Sequence, residues 1–517
     1  MSTKPSDNTP EFGKLRSVLW PIHGHELKKF LPMGLILFCL LFNYTILRDL
    51  KDSIIVNASG AGTIPFLKLW GVTPTAILFV ILYAKLSNAM TREGVFYTLV
   101  TAFLVYFGAY GFFIHPNAHA LQASAETLEG WHAAYPFLSG LIDVAGNWGY
   151  SSFYIMAEIW GSSMVALLFW QFANQTTRIR EAKRFYGLFV VLGNVALMIS
   201  GELLVQSNNP QLIASLFPEI NDPFEVIVKF FMGAVVFFGL VSMYLYRWMH
   251  TSVLTDPQFF DATEVTVKKK KEKPTLAESA KIIFSSPELG LIALLIMAYG
   301  ITINLAEVQW KDQIRLFVSN EVDPKAAYAA FMGRFSFING LITILFGWFI
   351  GSAILRRFSW RTAASITPLF MLLGGALFFA FILLKSDMGA FLSTILNEGA
   401  TRNAIVAATA LGFAVIVMAK SIKYTLFDPT KEMAYIPLNA ELQSKGKAAV
   451  DVIGGRAGKS GGAFVQSTLL MLYGTKEAFT IAPIACGVFI TIALLWLVAV
   501  KALSKKVEEA GAKTTKA

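Results

Sequence analysis

Charged side chains interrupt several long apolar runs of this sequence. The first group lies at 48–52 (RDLKD), and the apolar run resumes directly with SIIV at 53–56. An ionisable group near the centre of a bilayer costs about 2.5–3.5 kcal/mol on insertion scales, so such groups usually face a bundle interior and have a function. On a helix Arg48 and Lys51 share one face, and Asp52 is predicted to pair with Arg48. We therefore take Arg48 and Lys51 as binding-site candidates; the alternative is an outer helix end with its charges in water.

Two glutamates lie in other apolar runs. Glu158 has no Lys or Arg within fifteen residues, and Tyr154 shares its helical face. Glu307 opens a stripe with Lys311 and Arg315 at spacings i, i+4 and i+8. The alternatives are a neutral structural glutamate at 158 and a helix end that reaches water at 315. Tyr154, Glu158, Glu307 and Lys311 become the next candidates.

A fourth group spans 445–463 (KGKAAVDVIGGRAGKSGGA). Its GKS tripeptide suggests a phosphate-binding P-loop, but the first glycine of that motif would have to replace Ile453, and no strand precedes it. Closely spaced small residues instead favour tight helix packing within a membrane. The lysines at 445 and 447 can still face a cavity.

These groups indicate the chemistry of a binding site without catalysis. Beside them we find no nucleophile–base pair, and the six histidines lack metal-ligand spacing. Several cations that converge on one cavity suit a multiply charged anion, and phosphate oxygens are their natural partners. Tyr154 and Trp160 are candidates for stacking on a flat base. We predict that the protein is not an enzyme and needs no cofactor or metal.

The elements that position these charges are membrane helices. The chain is 55% hydrophobic but only 15% charged, against roughly 25% charged in soluble domains. Apolar runs of about 18–25 residues are long enough to cross a bilayer, and the strand-like alternation of a β-barrel is absent. Weaker apolar segments near 138 and 435 are candidates for re-entrant pieces. The twelve predicted spans are 30–58, 66–87, 94–114, 145–173, 185–206, 226–249, 286–318, 327–351, 361–384, 403–424, 447–473 and 478–501.

The distribution of charge predicts the topology. Residues 115–146 and 206–225 contain no Lys or Arg, whereas the alternate connections, including 420–447, are basic. The positive-inside rule then places both termini in the cytoplasm. This asymmetry also explains the net charge of +10 without a nucleic-acid partner. The predicted organisation is a tail at 1–29, a six-helix half at 30–249, a basic linker at 250–285, a second half at 286–501 and a tail at 502–517. The lysine run at 268–271 is read as solvated linker, with a lipid or regulatory site as the alternative.

Five segments resemble one family of transporters. They are RDLKDSIIV at 48–56, AEIWGS at 157–162, AEVQWK at 306–311, DPTKEMAYIPL at 428–438 and the 445–463 segment. Together they are similar to the ATP/ADP translocases of plastids and intracellular bacteria. The resemblance implies a fold similar to the major facilitator superfamily and exchange of external ATP for internal ADP. It also implies substrate-site roles for Lys51, Glu158, Glu307 and a lysine of the 445–447 pair, with Lys447 preferred.

We therefore predict an all-α integral membrane protein of about twelve transmembrane helices in two six-helix halves. Its expected function is nucleotide antiport, importing ATP in exchange for ADP with or without phosphate. A proton-coupled symporter of nucleotides or another organic anion is the alternative, since intramembrane glutamates can carry protons. A lipid flippase or a receptor is a more distant one. The polar residues 1–29 lack the apolar core of a signal peptide and are short for an organelle transit peptide, which favours a bacterial inner membrane. A functional monomer is expected.

Overall fold

A computed structural model describes residues 16, 20–209, 222–260, 286–385, 387, 390, 400–436, 438, 442 and 446–514. All regular elements in these residues are helices. The lysine run of the predicted linker, at 268–271, and Lys445 lie outside the described residues.

Eleven helices in the described ranges are long and apolar enough to cross a membrane. A further helix, Lys447–Leu472, corresponds to the predicted span at 447–473, and charged residues in its first half make it less apolar than the others. The twelve helices are α1 (Gly24–Ser59), α2 (Thr63–Ala89), α3 (Arg92–Ile114), α4 (Trp148–Thr176), α5 (Ile179–Gln206), α6 (Pro223–Val253), α7 (Pro287–Val318), α8 (Pro324–Arg357), α9 (Trp360–Leu383), α10 (Arg402–Met433), α11 (Lys447–Leu472) and α12 (Ala478–Lys506).

Helix α1 begins earlier than predicted, at Gly24 instead of residue 30. Polar residues in its first turns are buried because α5 supplies partners for them. The Lys29 ammonium lies 2.7 Å from the Glu181 carboxylate, and Arg184 lies 2.6 Å from Glu26. A sequence pattern cannot reveal such pairing between distant segments. These polar residues are therefore predicted as part of the N-terminal tail. The weak apolar segment near 138 forms the short helix Pro136–Gly146.

Small residues let α11 pack closely on α7. A Cβ added at Gly300 would lie 2.8 Å from the Cα of Gly458, and one at Gly462 would lie 2.9 Å from the Cβ of Asn304. Such distances are below van der Waals contact, so both positions require glycine. The close helix packing predicted for the 445–463 segment is confirmed.

The two six-helix halves, α1–α6 and α7–α12, meet at one end of the molecule. We call this the outer end, following the predicted orientation; it carries the α1–α2, α7–α8 and α11–α12 connections. There the Ser53 hydroxyl of α1 donates to the Lys325 carbonyl of α8 at 2.6 Å. Lys476, between α11 and α12, lies 3.2 Å from Asp143 of the helix Pro136–Gly146. At the opposite, inner end, the pairs of Lys29 and Arg184 are internal to the first half. Of the contacts named here, those that join the two halves therefore lie at the outer end.

Helices α5 and α8 form a close backbone contact between the halves. A Cβ on Gly201 would lie 2.4 Å from the Gly333 carbonyl oxygen, and one on Gly333 would lie 2.5 Å from the Gly201 oxygen. Two helices from opposite halves therefore touch backbone to backbone. At this contact neither helix has room for a side chain larger than glycine.

Substituting Gly201→Ala should destabilise the closed outer end. Overpacking a close contact costs about 1–3 kcal/mol, so we expect a lower thermal midpoint of the detergent-solubilised protein. Gly233→Ala on α6 is the matched control, because a Cβ there meets no atom within 4 Å. Equal midpoints for the two variants would show that the α5–α8 contact does not limit stability.

Candidate binding site

Asp52 joins lysines from both halves of the protein. Its Oδ1 lies 3.0 Å from the Lys51 ammonium on α1, and its Oδ2 lies 2.8 Å from the Lys311 ammonium on α7. The side chains of Asp52 and Lys51 are each 2% exposed. Because each carboxylate oxygen faces a different half, this residue is a buried ionic link between the halves.

Arg48 has a different partner from the one predicted. Its guanidinium lies 2.9 Å from Asp49 and also donates to the Ser336 hydroxyl at 2.5 Å. The predicted pair between Arg48 and Asp52 is therefore wrong. The reason lies in the tertiary packing: the Asp52 side chain turns toward Lys311 on α7, whereas those of Arg48 and Asp49 turn toward α8. Spacing along one helix could not show which neighbouring helix each charge meets.

Lys51 is the residue on which the first-half candidates converge. Besides Asp52, it lies 2.9 Å from the Glu158 carboxylate and 3.7 Å from the centre of the Tyr154 ring. The predicted shared face of Tyr154 and Glu158 is confirmed, since both reach the same ammonium group. The Glu158 side chain is 27% exposed in the middle of the fold. We infer that the cluster borders open space between the two halves.

Glu307 forms its ion pair with a lysine of α10, and not with a residue of its own charged stripe on α7. Its carboxylate lies 2.8 Å from the Lys420 ammonium, which also lies 5.0 Å from the Phe335 ring centre. Arg315, at the end of the stripe, pairs with Asp312 and Glu477 near the outer end. Only the first two members of the stripe therefore belong to the central cluster.

Sequence reasoning missed two lysines of this cluster. It assigned Lys420 to a basic connection, although the apolar run continues past it and the residue lies within α10. It passed over Lys68, whose ammonium donates to the Asn304 side chain of α7 at 2.5 Å. Lys68 also interacts electrostatically with Glu158 and Glu307. A lysine near the start of the predicted span 66–87 was a usable signal.

The structure places Lys447 away from the other six candidates. It is the first residue of α11, where it pairs with Glu432 and lies 5.8 Å from the Tyr435 ring centre. Lys459 lies twelve residues later, about 18 Å along the helix at 1.5 Å per residue. Lys459 is exposed and interacts electrostatically with Glu158. On α11, Lys459 is thus the lysine that approaches the central cluster.

Cations outnumber carboxylates in the central cluster. A surplus of positive charge in a protein interior is costly unless an anion compensates it. The arrangement can therefore accept a polyanion between the two halves, and side chains from both halves can contact it. The cations are Arg48, Lys51, Lys68, Lys311, Lys420 and Lys459, and the carboxylates are Asp49, Asp52, Glu158 and Glu307.

Comparison with solved structures shows the fold. A bacterial homologue of the iron transporter ferroportin, solved in an inward-facing state, matches with a TM-score of 0.56 at 12% identity, covering 93% of this chain and 100% of that one. A D-xylose–proton symporter matches with a TM-score of 0.53 at 12% identity, covering 91% of this chain and 97% of that one. The predicted fold, similar to the major facilitator superfamily, is confirmed.

Comparison of sequences gives the family. The ADP,ATP carrier protein 1 of Chlamydia muridarum is 44% identical over 500 residues, 96% of this chain and 91% of the relative. The ADP,ATP carrier protein 1 of Rickettsia conorii is 42% identical over 519 residues, which cover 100% of both chains. A family model described as TLC ATP/ADP transporter matches residues 5–507. The chain is a transporter and belongs to the TLC ATP/ADP transporter family.

Proposed function

We propose that this protein imports ATP in exchange for ADP by alternating access. The observation that carries the proposal is the surplus of cations at the junction of the two halves, with Asp52 bridging Lys51 and Lys311. In a member of this family, a nucleotide's phosphates are the polyanion that such a site fits. Lysine and arginine bind phosphate through charge-assisted hydrogen bonds.

The phosphates take the place of the resident carboxylates. In this structure, Asp52 and Glu158 pair with Lys51, Asp52 also pairs with Lys311, and Glu307 pairs with Lys420. Phosphate oxygens reach the same ammonium groups when nucleotide enters from the open side. Arg48 and Lys68 border the same space and add positive charge to it.

This replacement explains why exchange is favoured over net uptake. To open outward, α1 must separate from α7, which breaks the contact of Asp52 with Lys311. Breaking a buried ion pair and leaving its members uncompensated costs about 3–5 kcal/mol. A bound phosphate compensates the lysines during the movement, so the loaded carrier reorients more readily than the empty one.

Other features complete the proposal. The protein lies in a bacterial inner membrane with both termini in the cytoplasm and functions as a monomer in contact with lipid.

Lys447 is retained as a nucleotide contact at the inner mouth of the cavity, where it pairs with Glu432. No nucleic acid takes part.

Uptake of radiolabelled ATP into proteoliposomes tests the function directly. We expect uptake into vesicles preloaded with ADP, little uptake into empty vesicles, and no inhibition by a protonophore. The proton-symport alternative predicts the reverse: equal uptake into empty vesicles, driven by a proton gradient. That result would replace the exchange proposal.

Lys51→Ala should reduce ATP/ADP exchange at least 100-fold. The change removes the ammonium group that three side chains of the site contact, and it leaves Glu158 without that partner. Lys229→Ala on α6 is the matched control, because in the described part of the chain Lys229 forms its ion pair within its own helix, with Glu225. Size-exclusion chromatography checks that both variants fold. Wild-type exchange by a folded Lys51→Ala protein would exclude the proposed role.

Asp52→Asn should weaken the dependence of uptake on internal ADP. Asparagine keeps the size of the side chain but removes the charge that joins α1 to Lys311. The empty carrier then reorients more easily, and uptake into empty vesicles rises relative to exchange. Asp312→Asn is the control, since Asp312 is also buried but pairs with Arg315 on its own helix. An unchanged requirement for internal ADP in the Asp52 variant would contradict the locking role.

A further inference from the structure

Two tyrosines, one from each half, lie on the inner side of the lysine cluster. On α1, Tyr44, Arg48 and Lys51 follow the spacing i, i+4, i+7, so Tyr44 shares the stripe that carries the cations. Seven residues separate Tyr44 from Lys51, which is about 10 Å along a helix. On α10, Tyr424 follows Lys420 by one helical turn in the same direction.

The fold makes room for Tyr44 at a glycine. A Cβ added at Gly161 of α4 would lie 2.4 Å from Cε2 and 2.6 Å from Cδ2 of the Tyr44 ring. The ring therefore rests against the backbone of α4, three residues after Glu158. The Arg48 guanidinium lies 5.6 Å from the ring centre. Tyr44 is thus held in place by two elements of the binding site and is still partly exposed.

Tyr424 presents its ring to open space. It is 55% exposed, and the Lys423 ammonium lies 4.3 Å from its ring centre. Lys420, one helical turn before Tyr424 on α10, lies 2.8 Å from Glu307 of the central cluster. Tyr424 therefore lies one turn to the inner side of that ion pair.

Two other tyrosines near the cluster, Tyr154 and Tyr299, pack against neighbouring side chains. Tyr154 is fully buried, and Lys51 covers its face at 3.7 Å. Tyr299 stacks on Phe427 at 5.5 Å and meets the edge of Trp496. Tyr154 therefore offers no free surface to a ligand, and one face of the Tyr299 ring is occupied by Phe427.

We propose that Tyr44 and Tyr424 hold the flat base of the nucleotide between them, with its phosphates at the lysine cluster. The inference rests on the proposed function and names the part of the site that recognises the base. The separation of about 10 Å along α1 is the scale of an extended nucleoside triphosphate. Lysines alone do not distinguish a nucleotide from another polyphosphate, whereas an aromatic pair selects for a ligand with a flat ring.

The test compares Ala and Phe substitutions at both tyrosines. Stacking of a base on an aromatic side chain is worth about 1–3 kcal/mol, so Tyr44→Ala and Tyr424→Ala should each raise the KM for ATP roughly 5- to 100-fold. The Phe variants keep the ring and should stay within about 2-fold of wild type. Tyr244→Ala on α6 is the control, an equally large change at a tyrosine that is 69% exposed outside the cluster.

Inorganic tripolyphosphate, which has phosphates but no base, gives the second readout. Its inhibition of ATP uptake should be the same in the Ala variants as in wild type. A wild-type KM for ATP in both Ala variants, Phe variants as impaired as Ala variants, or a parallel loss of tripolyphosphate inhibition would each overturn the base-binding role. Failure of the wild-type protein to exchange ATP for ADP, or to respond to tripolyphosphate, would instead count against the proposed function.

Discussion

The arrangement of this transporter depends on the need to compensate buried positive charge. Lys51 and Lys311 come from different halves, and both use the single carboxylate of Asp52, 3.0 and 2.8 Å away. Ions taken out of water cost several kcal/mol each unless they are well paired. Asp52 pairs with both lysines only when α1 and α7 are close. Charge compensation in the site therefore depends on the relative position of the two halves.

Packing at the outer end also holds the two halves close together. The backbones of α5 and α8 touch at Gly201 and Gly333, and Ser53 binds the Lys325 carbonyl. These contacts carry no net charge, so they do not respond to a bound anion directly. Ligand can shift the balance between two states only through groups that interact with it differently in each state. In this site those groups are the lysines and their carboxylates, while the glycine contacts set how closely the halves approach.

The sequence allowed the fold class and most charged candidates to be predicted, because both follow from the high cost of charge in an apolar run. The partners of those charges could not be predicted in the same way. Arg48 was assigned to Asp52 because the spacing permits it, but the neighbouring helix decides the pairing. Lys420 was placed in a connection because its helix ends in basic residues. For Lys447, the substrate-site role implied by the resemblance stays a prediction, and only the three-dimensional arrangement distinguishes it from Lys459, about 18 Å further along α11.

The pairing of the two glutamates also bears on the choice between exchange and proton coupling. A glutamate that carries a proton must be stable in both its charged and its neutral form during the cycle. Here Glu158 lies 2.9 Å from Lys51, and Glu307 lies 2.8 Å from Lys420. Protonating either one in the empty carrier would remove the compensation of a lysine at a site that already has surplus positive charge. A phosphate group that arrives at the lysine avoids this cost, because it supplies negative charge as the carboxylate is displaced. The geometry therefore favours an anion, and not a proton, as the species whose binding releases the carrier for reorientation.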